Sequence, residues 1–303
     1  MTFSPRPTAG LLSVLAIAAL AVAGCGSSSS DTTSSGSSTT GSSTADSKVA
    51  AAVPAAIKSK GTLKVAADAS YAPNEFIKPG TKTVVGMDAD LAKALAGVMG
   101  LKAEVVNASF DGIIPGLAAG KYDLGMSSFT DTKEREKVVD FVTYLSAGTS
   151  FYVKAQGGPA INSLADLCGK NVAVEKGTTQ ADDATAQSKK CTAGGKPAAN
   201  VLVFPDQNGA NLALSSGRAE VGMADSPVAA YQVKQAGGQF KLSGPPYGTA
   251  PYGIAIPKDS GLAPPVLAGM KALIANGTYA AILKQWGLSD GAIATPVLNG
   301  ATS

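Results

Sequence analysis

The sequence contains no histidine. Its charged and hydroxyl side chains are therefore the main candidates for binding or catalysis. Without imidazole, Ser-His-Asp triads, Cys-His pairs and histidine-ligated metals are excluded, while chemistry by carboxylates or lysine stays open. Arg135 closes the run Thr132 to Arg135, and its planar guanidinium can grip a carboxylate through two parallel hydrogen bonds. The same run is also typical of a solvated arginine on a charged helix.

Two further segments could bind an anion. Ser128 and Thr130 follow a predicted strand, where hydroxyl and backbone N–H groups either meet a ligand or form a turn. Thr178 and Thr179 lie in segment 177–180, which joins a predicted strand to a predicted helix. The unpaired N–H groups and positive dipole end of such a helix suit a carboxylate, although an ordinary strand-to-helix turn has the same pattern.

Two aspartates also follow predicted strands. Asp225 comes after the strand 221–224, and open α/β sheets bind ligands at the carboxyl ends of their strands. Asp225 could equally begin the helix that follows. Asp68 comes after the first strand and could either assist binding or serve as a turn residue.

Composition bounds the class of protein. The chain has 303 residues, 45% of them hydrophobic, which permits one large domain or two ordinary ones with packed cores. The 25 Lys and Arg against 22 Asp and Glu give a formal charge of only +3, too small and too evenly spread for a nucleic-acid-binding surface. We therefore expect no nucleic-acid partner.

The N-terminal segment is typical of export. Arg6 precedes an apolar run over residues 11–23, which predicts a signal peptide over residues 1–24. The run ends in Val-Ala-Gly-Cys at residues 22–25, which resembles the lipobox of bacterial lipoproteins, so Cys25 is the expected lipidation site. In Gly26 to Lys48, 19 of 23 residues are Ser, Thr or Gly, which predicts a disordered tether over residues 25–48.

The two remaining cysteines are predicted to form a disulfide. Cys168 and Cys191 belong to an exported chain, where oxidation is favoured. The bridge would close a loop of about two dozen residues, while two free thiols remain the alternative. No C-x-x-C spacing supports a thioredoxin-type site.

From about Gly61 onward, β-rich runs alternate with helical stretches, which predicts α/β units and a largely parallel sheet. Strands are predicted over 63–67, 102–106, 124–127, 149–154, 171–174, 201–204, 221–224 and 252–256. Helices are predicted to begin near Asp88 and over 109–119, 179–190, 209–216, 226–234, 266–275 and 278–286, with Asp88 or a neighbour as the first cap.

Several segments together resemble polar amino-acid solute-binding proteins of ABC importers, family 3. The resemblance covers about Gly61 to Leu288, in the family's order. The segments are VAADASYAPNEF (65–76), VGMDADLAKALA (85–96), FDGIIPGLAAGKYDLGMSS (110–128), TDTKEREKVVDFV (130–142), VAVEKGTTQ (172–180), AEVGMADSP (219–227), YGIAIPK (252–258) and NGTYAAILKQWG (276–287).

The resemblance implies a two-lobed α/β periplasmic-binding-protein fold of type II with two hinge crossings, near 145–149 and 250–254. Lobe 1 would be discontinuous, over 60–145 and 254–303, and lobe 2 would span 146–253. The ligand would be enclosed between the lobes.

The resemblance also implies roles for individual residues. Arg135 would hold the carboxylate of an amino acid, Asp225 its amino group, and the rings of Tyr71 and Phe110 would flank its side chain. Without the resemblance, both rings would be read as core.

The sequence departs from well-known relatives at Asn74, where an aromatic is frequent, and at Glu175, where neutral or basic residues occur. Glu175 could favour a ligand with a cationic or hydrogen-bond-donating side chain. An ion pair with Lys176 or Lys170 would explain it as well.

The implied function is that of a lipid-anchored, monomeric receptor on the extracytoplasmic face of the cell membrane. It would pass a polar amino acid to ABC permease subunits, without a cofactor, a metal or catalysis. The identity of the amino acid stays open. The alternatives are a cyclohexadienyl- or arogenate-type dehydratase of the same fold, with Glu175 as an acid, and an amino-acid sensor domain.

Overall fold

The computed structural model describes residues 44–302. The helices are α1 Ser47–Ala52, α2 Ala55–Lys60, α3 Met87–Val98, α4 Phe110–Ala118, α5 Lys133–Glu136, α6 Thr179–Ala193, α7 Gln207–Ser215, α8 Ser226–Gln235, α9 Ala263–Ala275 and α10 Thr278–Trp286. Two short 3-10 helices lie at Leu164–Leu167 and Ser289–Gly291. The strands are β1 Thr62–Ala67, β2 Ser70–Tyr71, β3 Glu75–Ile77, β4 Val84–Val85, β5 Lys102–Asn107, β6 Leu124–Gly125, β7 Val139–Lys154, β8 Asn171–Glu175, β9 Asn200–Phe204, β10 Val221–Asp225 and β11 Phe240–Pro257.

The main sheet has eight strands in the order β5-β1-β6-β11-β7-β10-β8-β9. Strands β5, β1 and β6 are parallel and lie on one side, and β10, β8 and β9 are parallel and lie on the other. The long strands β7 and β11 belong to both sides, so they join the two lobes. A three-stranded sheet, β2-β3-β4, lies apart from the main sheet.

The two crossings are neighbours in an antiparallel pair. Ala147 of β7 pairs with Ala250 of β11, and Leu145 pairs with Tyr252. The register of this pair shifts between Ser243 and Ala250 and again at Tyr252, so the regular ladder is interrupted where the strands leave one lobe for the other. This agrees with the predicted two-crossing fold, whereas the residue limits of the lobes stay a prediction.

The core of the first lobe combines residues from early and late in the described range 44–302. Leu91, Leu95 and Val98 form the apolar face expected for α3 and are buried. Val266 of α9 and Leu283 of α10 lie in the same hydrophobic cluster. This shared cluster supports the expected discontinuous first lobe, whose limits stay a prediction.

Most predicted elements are present, but their limits differ. Helix α10 has the predicted bounds, while β7 and β11 are far longer than the runs 149–154 and 252–256. The short strands β2, β3 and β4 were not predicted, because two or three residues carry no periodic signal. Helices α1 and α2 were also not predicted.

The predicted tether and the described structure overlap at one point. Helix α1 begins at Ser47, where Asp46 caps it by accepting hydrogen bonds from the N–H groups of Lys48 and Val49. The prediction of disorder through Lys48 is therefore wrong for its last residues. The signal peptide, Cys25 and most of the tether lie outside the described residues.

Between residues 44 and 302, no single helix has the length and apolar composition needed to cross a membrane. The pair α9 and α10 meets both conditions only when combined, and it is bent by 77°.

The predicted disulfide is present between Cys168 and Cys191, whose Cα atoms are 5.6 Å apart. It ties the residue after the first 3-10 helix to the last turns of α6 in the second lobe. We expect the double substitution Cys168→Ser and Cys191→Ser to lower the free energy of unfolding by about 3 kcal/mol, because the bridge constrains the unfolded chain. Urea unfolding followed by circular dichroism measures this change, and an equal free energy of unfolding in both proteins contradicts it.

Candidate functional site

A cavity between the two lobes gathers every residue predicted to face the ligand. The ten residues are Asp68, Tyr71, Phe110, Ser128, Thr130, Arg135, Glu175, Thr178, Thr179 and Asp225. Gln180, from the predicted segment 177–180, also lines it, as do Glu75 and Ser127, which were not predicted. Most of these residues end or follow β1, β6, β8 and β10, so the carboxyl ends of the parallel strands meet here.

The Arg135 guanidinium is fixed from both lobes. Nη1 donates to the carbonyl oxygen of Thr130 at 2.8 Å, and Nη2 donates to that of Gly177 at 2.9 Å. The group lies 5.4 Å from the ring centre of Phe110 and 5.5 Å from that of Phe129. Burial lowers the pKa of Arg135 from its usual value. The alternative of a freely solvated arginine is therefore wrong.

Gly177 brings the second lobe close to the first. It adopts φ +80°, which favours glycine, and a Cβ there would lie only 3.0 Å from the Asp111 Cβ. Lys176 next to it forms an ion pair with Asp111 at 2.7 Å. Together with the Arg135 bond, these contacts hold the start of α6 against the first lobe.

The N-terminus of α6 opens on the cavity. Thr178 is its N-cap and accepts a hydrogen bond from the N–H of Ala181 at 3.2 Å, while its hydroxyl donates to the carbonyl of Glu175 at 2.7 Å. Thr179 and Gln180 of the first turn also line the cavity. A 15-residue helix therefore points its positive end toward the side of the cavity where Arg135 lies.

Asp225 is buried at the end of β10 and takes the N-cap position of α8, but its side chain makes no capping hydrogen bond. Its Oδ1 instead accepts from Gln180 Nε2 at 2.8 Å, and its N–H donates to the hydroxyl of Tyr71 at 2.9 Å. Burial raises the pKa of Asp225 to about 6, although Arg135 opposes the shift. Asp225 thus stands at the start of α8, as the alternative predicts, but its carboxylate does not cap this helix.

Glu175 faces the cavity and not a lysine. It is only 2% exposed, and its Oε1 has no hydrogen-bond partner. Lys176 pairs with Asp111, and Lys170 pairs with Glu220, so the ion-pair alternative for Glu175 is wrong. Burial, together with the charges of Asp68, Asp206 and Asp225, raises the pKa of Glu175 to about 9.

Asp68 is both a turn residue and a residue of the cavity wall. Its carboxylate accepts from the N–H of Ser70 at 3.1 Å and from the N–H of Phe110 at 2.9 Å, which fixes the turn after β1 and the start of α4. It also lines the cavity, where its charge helps to raise the pKa of Glu175. Burial raises the pKa of Asp68.

The residues beneath Ser128 form a buried acidic network. The N–H of Ser128 donates to Asp88 Oδ2 at 2.8 Å, and its hydroxyl donates to Glu75 Oε2 at 3.2 Å. Asn74, at the position where relatives often have an aromatic, donates to the Ser128 hydroxyl at 2.8 Å. Ser128 adopts φ 52°, so this network holds an unusual backbone conformation at the cavity wall.

Asp88 does not cap α3, because Gly86 is the N-cap. Asp88 and Glu75 are both fully buried, and burial raises the pKa of Asp88 to about 6 and that of Glu75 well above its usual range. Sequence reasoning missed Glu75 as a lining residue. The only signal was an acidic residue within the segment YAPNEF.

Two lobes with a polar cleft between them, lined by a guanidinium and buried carboxyl groups, are typical of a solute-binding protein. The model of the bacterial extracellular solute-binding proteins, family 3, matches residues 63–289, and the chain belongs to this family. It is therefore the extracytoplasmic binding component of an ABC importer, and its solute is a polar amino acid.

Three known proteins illustrate the similarity. The arginine-binding protein ArgT of Corynebacterium glutamicum is 35% identical over 83% of this chain and 82% of its own length. A solved ancestral arginine-binding protein bound to arginine is 37% identical, covers 75% of this chain and 98% of its own, and has a TM-score of 0.68. An ancestral amino acid-binding protein described as a precursor of cyclohexadienyl dehydratase is 37% identical, covers 76% and 97%, and has a TM-score of 0.66.

Proposed function

We propose that the cleft binds a cationic amino acid, with L-arginine as the preferred ligand. The observation that carries this proposal is the excess of carboxyl groups over basic groups in the cavity wall. Among the residues that the structure describes, four carboxyl groups line the cavity, those of Asp68, Glu75, Glu175 and Asp225, against the single guanidinium of Arg135. Buried carboxyl groups are costly without a partner, and a ligand with two positive groups supplies it.

Arg135 and the start of α6 receive the ligand carboxylate in this proposal. Two guanidinium N–H groups are already bonded to Thr130 and Gly177, which fixes the plane of the fork and leaves other donors for the ligand. The N–H groups at the first turn of α6 add donors and a positive dipole end. Both the first and second lobes thus hold the same carboxylate.

Asp225 receives the α-ammonium group, and Glu175 with Asp68 receives the cationic side chain. Glu175 and Asp68 both line the cavity and lie near enough for the charge of Asp68 to raise the pKa of Glu175, so the two carboxyl groups form one acidic end. Tyr71 and Phe110 give the ligand's apolar stem two aromatic walls. Because groups from both lobes grip the ligand, binding favours the closed arrangement by population shift.

Calorimetric titration of the mature protein with L-arginine, L-lysine, L-ornithine, L-histidine and L-glutamine tests the proposal. We expect L-arginine to bind most tightly and L-glutamine at least about tenfold more weakly, because glutamine leaves the acidic end without a cation. L-Glutamine binding as tightly as L-arginine would contradict the proposal.

Proton release gives a second measure of the same contact. Glu175 is protonated in the free cleft up to its pKa of about 9, and it must ionise to pair with a cationic side chain. We therefore expect L-arginine to bind more tightly as the pH rises from about 6 to about 8, with protons released into the buffer. Titrations in buffers of different ionisation enthalpy count these protons. Binding of L-glutamine serves as the control and should release fewer.

We propose that the protein binds its ligand without converting it. An acid in the cleft is also what a dehydratase would need, but the carboxylate of Asp225 suits an ammonium group better than a ligand with two carboxylates. Incubation with prephenate or arogenate, followed by ultraviolet absorption, distinguishes the two. Aromatic product would favour the enzyme.

We further propose that a lipid on Cys25 anchors a monomeric receptor to the extracytoplasmic face of the membrane, with lobe 1 over 60–145 and 254–303 and lobe 2 over 146–253. We expect Cys25→Ser to move the protein from the membrane fraction to the soluble fraction, because the lipid chains supply the membrane affinity. Fractionation of cells followed by immunoblotting measures the shift. An unchanged distribution would remove the lipid anchor.

A further inference from the structure

The C-terminal tail, residues 292–302, lies beyond the family match at 63–289 and yet is part of the first lobe. It runs along the half of β7 that has no other strand on that side in the main sheet. The N–H of Thr143 donates to the carbonyl of Val297 at 2.9 Å, and the N–H of Asn299 donates to that of Phe141 at 2.8 Å. The tail therefore covers an otherwise open sheet edge.

Asn299 adds side-chain bonds to the same edge. Its Oδ1 accepts from the N–H of Phe141 at 2.8 Å, and its Nδ2 donates to Asp140 Oδ1 at 3.1 Å. It adopts φ 52°, a left-handed conformation that asparagine tolerates better than most residues. This turn directs the next residues away from β7 and toward the segment before it.

The tail then contacts the segment that carries Arg135. The N–H of Gly300 donates to Asp131 Oδ2 at 2.7 Å, and the N–H of Ala301 donates to Glu136 Oε1 at 3.2 Å. Asp131 is fully buried, and Glu136 is the last residue of α5. The tail thus bonds to one residue on each side of Arg135.

The fit at Gly300 is close. A Cβ there would lie 2.7 Å from Val297 Cγ2 and 2.9 Å from Thr143 Cγ2. A larger side chain at this position must therefore displace the Val297 and Thr143 side chains or move the tail away from β7.

We infer that the C-terminal tail is a positioning element for Arg135, acting through Asp131 and Glu136. Helix α5 has only four residues, too few to hold its own position, so the bonds that flank it add to those of Arg135 with Thr130 and Gly177 in placing the guanidinium. A binding group held in place before the ligand arrives gives higher affinity than one that must be ordered on binding. The inference rests on the proposed carboxylate-binding role of Arg135.

Two variants test it, a chain ending at Pro296 and the point variant Gly300→Val, with Leu298→Ser as the control. The control changes a tail side chain that is 46% exposed and leaves the backbone bonds to β7 in place. The point variant keeps the test decisive if the shortened chain does not fold. Each variant is made in the natural background and with Arg135→Lys.

Hydrogen exchange of segment 131–138 in the free protein and the Kd for L-arginine are the two readouts. We expect exchange in this segment to be about tenfold faster in both tail variants, and not in the control. We expect affinity to fall by about tenfold in the natural background and by less than about twofold with Arg135→Lys, because the tail acts through the fork of Arg135.

Unchanged exchange in segment 131–138, or an equal loss of affinity in both backgrounds, would overturn the inference. A merely destabilising tail would give that equal loss. If the natural protein does not bind L-arginine, the proposed function fails, and the exchange of segment 131–138 still decides whether the tail positions it.

Discussion

Arg135→Ala is expected to cause the largest loss of ligand affinity of any single substitution in the cleft. The change removes the fork proposed to meet the ligand carboxylate and the bond that joins the first lobe to Gly177. Truncating one partner of a buried charge pair costs about 2–5 kcal/mol, which is roughly a 30- to several-thousand-fold increase in Kd. Calorimetric titration with L-arginine measures it.

Two variants make the Arg135 result specific. Arg218→Ala removes an exposed arginine that lies 5.2 Å from the ring centre of Phe204, and it should leave the Kd unchanged. Arg135→Lys keeps the charge but not the planar fork, and it should fall between Arg135→Ala and the natural protein. Binding of L-arginine to Arg135→Ala with natural affinity would show that the ligand carboxylate lies elsewhere.

Glu175→Gln is expected to weaken L-arginine binding while stabilising the ligand-free protein. The loss of affinity follows because the amide cannot form an ion pair with the ligand's cationic side chain. A hydrogen bond to a charged group contributes about 1.5–3 kcal/mol, so the Kd should rise by roughly 10- to 100-fold. The Kd for L-glutamine should change less.

The gain in stability follows from the direction of the Glu175 pKa shift. In the folded protein this pKa is raised from 4.5 to about 9, mainly by burial. Between these values the folded state holds a proton that the unfolded state has lost, so stability falls as the pH rises. The amide has no such dependence and should raise the free energy of unfolding at neutral pH by about 1–3 kcal/mol, since part of the gain is lost to an amide without partners.

Thermal unfolding of the ligand-free proteins across a range of pH measures this effect. The difference in Tm between Glu175→Gln and the natural protein should widen toward about pH 9 and vanish below about pH 4.5. Glu220→Gln is the matched control, because Glu220 is partly exposed beside Lys170. A constant difference in Tm across the range would mean that Glu175 titrates normally.

Much of this protein follows from local sequence. Alternating β-rich and helical runs predicted the α/β class and helices such as α10, and eight matching segments indicated the family and the ligand-binding roles of Arg135 and Asp225. These features depend on residues near one another in the chain. Local signals, such as the periodicity of α3 or the turn after β10, can be recognised in the sequence without knowledge of the rest of the fold.

What the sequence left open depended on contacts between distant residues. Whether Glu175 faced a lysine or the cavity was decided by Lys176 and Lys170, which pair with Asp111 and Glu220 instead. Asp88 looked like a helix cap because it stands near the start of α3, but Ser128 and Tyr144 approach it in the folded protein.

The same reason explains the features that had no signal in the sequence. The C-terminal tail meets Asp131 and Thr143 across more than 150 residues of chain, and no local pattern records such a pairing. Residue types and spacing determined which groups could bind an amino acid. Only the tertiary structure decided which of them are buried without a partner. Burial and pairing depend on how the whole chain packs, and not on the residues next to each group in the sequence.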